Sequence, residues 1–149
     1  MKPFALILTM AFLLAGFLSH AQSGSPDMAF QQEKITEGQG ITVMWSSADP
    51  EIFNNCVAPF CRGSSNQKQY KNVTLFIWGP AIRELADNKQ LQSRVVDLMS
   101  NGVDVKACQS ACENYHATEE IAPLGVEVQN IRKEIARNLE GDVSQLITL

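Results

Sequence analysis

Short apolar runs alternate along the chain with segments whose apolar residues recur every three or four positions. The runs are rich in β-branched and aromatic residues and indicate buried strands, whereas the longer period indicates amphipathic helices. The predicted order is strand, helix, strand, helices, strand, helix, strand, helix, strand. The predicted strands are 41–46, 73–78, 103–107, 126–128 and 145–148, and the predicted helices are 50–61, 81–85, 89–100, 109–115 and 131–139.

This order predicts the fold class. Crossovers of this length join parallel strands, so we expect a three-layer α/β/α fold with a mostly parallel sheet of about five strands, of the flavodoxin or Rossmann-like kind. Functional groups of such folds gather beyond the carboxyl ends of the strands. At that edge the sequence places Ser46, Ser47, Gly79 and Cys108.

The strongest chemical pattern lies between Gly102 and Cys112. After the glycine, residues 103–107 alternate between apolar and polar, and the period then lengthens to about four at Cys108. Cys108 is therefore predicted to end a strand beside a helix start, where free backbone N–H groups and the helix dipole favour a thiolate. We expect an exposed catalytic sulfur at Cys108 and a candidate redox partner at Cys112. The alternatives are that Cys108 is buried or held in a disulfide and that Cys112 packs on the sheet.

The remaining two cysteines lie at the end of the first predicted helix. Cys56 shares an apolar stripe with Phe53, Val57 and Phe60, so we expect it to be buried. Cys61 lies five positions later and would point about 140° away on a continuous helix. A Cys56–Cys61 disulfide would therefore require the helix to break between them.

Cys108, Cys112 and His116 are spaced by four residues, which on a continuous helix aligns three soft metal ligands. The helical pattern ends before the histidine, so we expect a surface histidine and no bound metal. No Gly-rich phosphate loop is present, and we expect no cofactor. Trp45 and Trp78 are predicted to lie in the core.

Ser46, Ser47 and Gly79 are candidate substrate-binding residues, because hydroxyl and backbone donors at such an edge bind anions. The alternative is ordinary turn chemistry. Serine before Asp49 and Pro50 is typical of a helix start, and glycine before proline is typical of a strand end.

The amino terminus has the features of a secretory signal. A positive start at Lys2 precedes the apolar residues 4–18 and a small-residue cleavage site ending at Ala21. We expect a signal peptide at 1–21, a polar segment at 22–40 and one domain at 41–149, in the periplasm or outside the cell; an uncleaved anchor is the alternative.

The net charge of the mature chain limits the kinds of partner that it can bind. Removal of Lys2 leaves 11 of the 12 basic residues against 16 acidic ones, a net charge of −5. Such a domain is poorly suited to nucleic acid. No later run is long and apolar enough to predict a membrane span.

Four stretches resemble one family when they are taken together. They are Ser-Ser-Ala-Asp-Pro-Glu after the first strand, Ile77-Trp-Gly-Pro-Ala81, the run from Gly102 to Cys108, and Gly125-Val-Glu-Val128. Over positions 41–149 the chain resembles the DsrE/DsrF-like family, which includes sulfur-relay subunits of the TusD type. The resemblance implies a three-layer α/β/α fold, homo-oligomers, and a cysteine after the third strand that carries sulfur as a persulfide, here Cys108.

Three functions remain open from the sequence. The first is a sulfurtransferase-like sulfur carrier that exchanges sulfur with a donor or acceptor protein through Cys108. The second is a non-catalytic binding or oligomer-assembly module whose cysteines are structural. The third is a periplasmic metal-binding protein that uses Cys108, Cys112 and His116.

Overall fold

Five apolar segments form one sheet in the computed structural model, which describes residues 39–140 and 144–149. The strands are β1 (Gly40–Trp45), β2 (Val73–Ile77), β3 (Asp104–Cys108), β4 (Glu127–Gln129) and β5 (Ser144–Thr148). All neighbouring strands are parallel, in the order β4-β3-β2-β1-β5. The predicted five-stranded parallel sheet is therefore confirmed. The predicted signal peptide and residues 22–38 of the polar segment lie outside the described residues.

Helices connect successive strands. They are α1 (Pro50–Ile52), a π-helical turn (Phe53–Val57), α2 (Ala58–Asn66), α3 (Pro80–Asp87), α4 (Lys89–Ser100), α5 (Gln109–Asn114), α6 (Thr118–Ile121), a 3-10 turn (Ala122–Leu124) and α7 (Arg132–Leu139). Within the described ranges, no helix has the length and apolar character needed to span a membrane.

Helices cover both faces of the sheet. On one face, the amide of Asn138 in α7 donates to the hydroxyl of Thr42 in β1 at 3.1 Å. On the opposite face, the rings of Trp45 and Phe53 lie 4.5 Å apart. The crossovers from β1 to β4 all run in one direction and the crossover to β5 returns. Right-handed connections therefore place α7 on the face opposite the other described helices. The predicted three-layer α/β/α architecture is confirmed.

Local sequence fixes several helix ends. The Asp49 carboxylate accepts the N–H of Glu51 at 2.8 Å, and Pro50 is the first residue of α1, as predicted. The Asn88 side chain accepts two N–H groups of the first turn of α4. Gly102 ends the turn after α4 with a φ of 82°, which a residue with a Cβ rarely adopts.

The predicted buried stripe of the first helix is wrong at Cys56 and Phe60, which are both exposed. The N–H of Ala58 bonds to the carbonyl of Phe53, five residues back, and this wider π turn holds one extra residue. The buried side therefore continues from Phe53 through Ala58 to Cys61, and Cys56 is displaced to the surface.

The same helix is longer than predicted. The predicted helix ends at residue 61, before a segment that contains glycine and serines, but α2 extends to Asn66. The hydroxyl of Ser65 donates to the carbonyl of Asn101 at 2.6 Å, and Arg62 forms an ion pair with Asp97 of α4. Packing against α4 thus outweighs the weak helix propensity of this segment.

Candidate functional site

The carboxyl edge of the sheet brings four side chains into one row. Cys108 pairs with Gln129 of β4, and Ile77 pairs with Ala107, so the next residue, Trp78, lies beside Cys108. The N–H of Trp78 donates to the carbonyl of Trp45 at 3.0 Å, which extends the β1–β2 ladder toward Ser46. Side chains alternate between the two faces along each strand, so residues at one level of the sheet share a face. We name Ser46, Trp78, Cys108 and Gln129 the rim row.

Cys108 occupies the predicted position. It is the last residue of β3 and the residue that caps α5, with an extended backbone. Its Sγ lies 3.4 Å from the hydroxyl of Ser110, and no side-chain acceptor caps the first amides of α5. The Ser110 hydroxyl therefore lies within hydrogen-bonding distance of this sulfur.

The predicted exposure of the Cys108 sulfur is wrong, because the residue is only 4% exposed. Cys108 remains inside the sheet, paired with β4, and belongs to the same buried cluster as Ala111 and Cys112. Because β3 continues through Cys108, the Cys108 side chain stays in the core. Cys108 is therefore almost closed to solvent in this structure.

Cys112 lies one helical turn after Cys108 and is fully buried. Burial raises the pKa of the Cys112 thiol to about 11, and the negative charge of a neighbouring Cys108 thiolate adds to the rise. The two cysteines are free thiols rather than a disulfide, as are Cys56 and Cys61. Burial also raises the pKa of Cys61 to about 12. Neither fully buried thiol is therefore a nucleophile at neutral pH.

His116 does not join the cysteine pair. It follows the end of α5, is exposed, and adopts a left-handed backbone with a φ of 53°. The expected surface histidine is confirmed, and the continuous helix that a three-ligand row requires is absent. Among the residues that the structure describes, no three His, Cys, Asp or Glu side chains are grouped to hold a metal ion.

Turn chemistry accounts for two of the three predicted substrate-binding residues. The Ser47 hydroxyl accepts the N–H of Asp49 at 3.0 Å. Gly79 has φ 57° and ψ −138°, a conformation that is essentially restricted to glycine. Ser46 lies in the rim row, but it is two strands from Cys108. The structure therefore does not bring these residues together around the sulfur.

Sequence reasoning missed the exposed aromatic of this edge. Trp45 is fully buried, as predicted, whereas Trp78 is 45% exposed and the prediction that it lies in the core is wrong. The missed signal is its place at the end of β2, directly before Gly79 and Pro80, where the helices no longer cover the sheet.

A charged cluster surrounds Lys106, two residues before Cys108 on the same face of β3, and it was not predicted from the sequence. The Nζ of Lys106 is 3.1 Å from Glu134 of α7 and 3.3 Å from Asp104, and Gln129 donates to Glu134 at 3.3 Å. Burial alone would lower the pKa of Lys106, but the hydrogen bonds and charges of Glu134 and Asp104 outweigh it and raise that pKa above 10.5. The cluster links the rim row to α7.

The parallel sheet with helices on both faces defines a three-layer α/β protein. The chain is similar in structure to a conserved protein of unknown function from Bacteroides thetaiotaomicron, BT1422, with a TM-score of 0.70 and 22% sequence identity. The similarity covers 74% of this chain and 95% of that one, and at this identity it shows the fold alone. No known family matches the sequence, and no curated protein matches it.

Proposed function

We propose that the protein is a sulfur carrier of the DsrE/DsrF-like kind that holds sulfur on Cys108. The observation that carries the proposal is the position of this free thiol, at the carboxyl end of β3 and the start of α5, with the Ser110 hydroxyl 3.4 Å from its Sγ. This edge of a parallel sheet is where such folds place their reactive groups.

The proposed reaction has two exchange steps. The Cys108 thiolate attacks the outer sulfur of a persulfide or polysulfide donor; the donor S–S bond breaks, a new S–S bond forms, and the donor leaves as a thiolate. An acceptor thiolate then attacks the outer sulfur of the Cys108 persulfide, and Cys108 departs as a thiolate. No external oxidant or reductant is required, because each step exchanges one S–S bond for another.

The burial of Cys108 adds a requirement. A sulfur that is 4% exposed must be uncovered before a donor reaches it, so transfer includes a local opening at the carboxyl edge. Cys112 has a different part from the one predicted. Its buried thiol has a pKa raised to about 11 and stays protonated at neutral pH, so the carrier uses a single sulfur.

Intact-mass measurement tests the proposal. The mature protein is incubated with polysulfide and the excess is removed. We expect the intact mass to increase by one sulfur atom, and peptide mapping to place that atom on the peptide that contains Cys108. Cys108→Ser abolishes this gain, whereas Cys56→Ser, which removes the exposed thiol, leaves it unchanged. Sulfur found only on Cys56, or a full gain in Cys108→Ser, would refute the assignment.

A second candidate function follows from the burial of three of the four cysteines. Cys61 and Cys112 are fully buried and Cys108 nearly so, which is the pattern of small apolar residues in a core. A non-catalytic binding or assembly module with structural cysteines would show this pattern of burial. This candidate predicts no sulfur gain at Cys108 and a loss of about 1–2 kcal/mol of stability in Cys108→Ala.

We further propose that the mature protein begins after Ala21, resides in the periplasm or outside the cell, and forms homo-oligomers. The sequence of residues 1–21 supports export, and the resemblance to the DsrE/DsrF-like family supports assembly. The amino-terminal mass of the protein from the periplasmic fraction tests the first point. Sedimentation equilibrium tests the second, and a purely monomeric protein at micromolar concentration would contradict it.

A further inference from the structure

Trp78 is a large apolar side chain left exposed at the carboxyl end of a buried strand. The three residues before it, Phe76, Ile77 and Leu75, are buried, yet Trp78 is 45% exposed. An exposed indole has an unfavourable solvation free energy, so it commonly packs over a neighbouring group or contacts a ligand. Its immediate surroundings therefore indicate what it does.

The nearest reactive group in the rim row is the Cys108 sulfur. Ile77 pairs with Ala107, and the next residue along each strand sets Trp78 beside Cys108 on adjacent strands, which lie about 4.8 Å apart in the pairing direction. Alternation from Phe76 and Lys106, which pair on the α7 face, directs both side chains to that face. An indole is large enough to cover a neighbouring sulfur, and Cys108 is 4% exposed.

The backbone after Trp78 fixes this arrangement. Gly79 turns the chain from β2 into α3 with φ 57° and ψ −138°. A Cβ at Gly79 would meet no heavy atom within 4 Å, so the glycine serves the turn and not close packing. The turn keeps the Trp78 N–H bonded to Trp45 of β1, while 45% of the Trp78 side chain is open to solvent.

We propose that Trp78 is the gate of Cys108: its indole covers the sulfur and swings aside to admit small sulfur donors while it excludes bulky ones. This inference rests on the proposed sulfur-carrier function and names its substrate class, which is small inorganic or low-molecular-weight persulfides and polysulfides. Trp78 acts as a positioning and selectivity residue, and it takes no part in the exchange of S–S bonds.

Thiol labelling tests the gate in a Cys56→Ser background, which removes the exposed thiol. Two reagents of different size are used, iodoacetamide and a maleimide carried on a polyethylene glycol chain. We expect Trp78→Ala to label Cys108 on the order of tenfold faster than the parent, with the larger gain for the bulky reagent. Equal rates in Trp78→Ala and the parent would overturn the gate.

Three controls separate gating from general loosening. Trp78→Phe keeps an aromatic cover and should label Cys108 within about threefold of the parent. Val96→Ala removes an exposed apolar side chain of α4 and should not change the rate. The labelling of fully buried Cys61 reports unfolding, so a parallel rise at Cys61 and Cys108 would also overturn the gate.

Fluorescence gives a readout that does not depend on the alanine variant. Trp78 and Trp45 are the two tryptophans of the chain, and Trp45 is fully buried, so iodide quenches Trp78 selectively. Alkylation of Cys108 should displace the indole and increase the quenchable emission. Unchanged quenching after complete alkylation would contradict the gate.

Sulfur loading in the same variants separates the gate from the carrier. Faster loading of Cys108 from polysulfide in Trp78→Ala supports both. Equal loading in Trp78→Ala and the parent overturns the gate and leaves the carrier standing. Absence of loading in every variant overturns the carrier, and the substrate class with it, while faster alkylation in Trp78→Ala would still support Trp78 as the cover of Cys108.

Discussion

Gly79 holds a backbone conformation that only glycine adopts without strain, and this makes it the most restrictive single position of the carboxyl edge. We expect Gly79→Ala to lower the free energy of unfolding by about 1–3 kcal/mol, although the added methyl meets open space. Gly63 is the matched control. It lies inside α2, also with open space around a Cβ, so Gly63→Ala should stabilise the protein by about 0.5–1 kcal/mol.

Urea unfolding of the two variants measures both effects. A destabilised Gly63→Ala would mean that α2 does not continue through this residue. An unchanged Gly79→Ala would mean that the turn before α3 adopts another conformation in solution.

The buried thiol of Cys112 makes stability depend on alkaline pH. Because its pKa is raised in the folded state, from 9.0 to about 11, the unfolded chain loses the proton first as the pH rises. The stabilisation is therefore complete below pH 9 and is lost between about pH 9 and pH 11, by at most about 1.4 kcal/mol per pH unit.

Urea unfolding at pH 7, 9 and 10.5 tests this dependence by comparison with Cys112→Ala. The native protein should lose its advantage over Cys112→Ala as the pH rises, since alanine has no proton to lose. Val96→Ala gives the control, because it shortens an exposed side chain that does not titrate, and the difference between the native protein and Val96→Ala should stay constant. A constant difference for Cys112→Ala as well would show that this thiol is not buried in solution.

At the scale of elements, the ion pair of Lys106 and Glu134 joins β3 to α7. Lys106→Met leaves the partly buried Glu134 carboxylate without its cation, and we expect a loss of about 1–3 kcal/mol. Glu134→Gln retains an amide oxygen as acceptor and should cost less. The double variant should be less destabilised than the sum of the two, because each removes the same contact.

Lys133 is exposed on the same helix and serves as the control, and Lys133→Met should change stability by less than about 0.5 kcal/mol. Strictly additive losses in the double variant would mean that the Lys106–Glu134 contact does not contribute to stability.

Element boundaries show where sequence reasoning succeeds and fails. Apolar periodicity located all five strands, and capping residues such as Asp49 located helix starts, because both signals are local. The π turn at Phe53–Val57 left no such signal. A single extra residue in one turn moved Cys56 to the surface, and contacts with α4 extended α2 through a segment that looks like a loop.

At the scale of the whole molecule, the strand order predicts that backbone amides of different strands are unequally protected from hydrogen exchange. β2 has neighbours on both sides, whereas β4 is an edge strand of three residues. We expect the β2 amides to exchange with solvent only on global unfolding and the β4 amides to exchange at least about a hundredfold faster by local opening. Native-state hydrogen exchange followed by mass spectrometry or NMR measures this ratio, and equal protection would contradict it.

The position of Cys108 was predictable from the sequence, but its accessibility was not. Position depends on the alternation of residues along one strand, which the sequence shows directly. Burial of the sulfur depends on the residue at which the β3–β4 pairing stops, because Cys108 is still paired with Gln129 of a strand that is distant in sequence. The end of this pairing is not encoded in the pattern around the cysteine.

The pairing of β1 with β5 joins Gly40 to Ser144, and it has a consequence for how the chain folds. These partners are separated by 104 positions, so the last ladder closes a loop that spans nearly the whole domain. Until β5 has emerged, one side of β1 offers unpaired N–H and C=O groups to any other strand. A chain that crosses a membrane from its amino terminus would carry this open edge throughout the crossing, so its folding would depend on arrival of the carboxyl end or on a chaperone that covers β1.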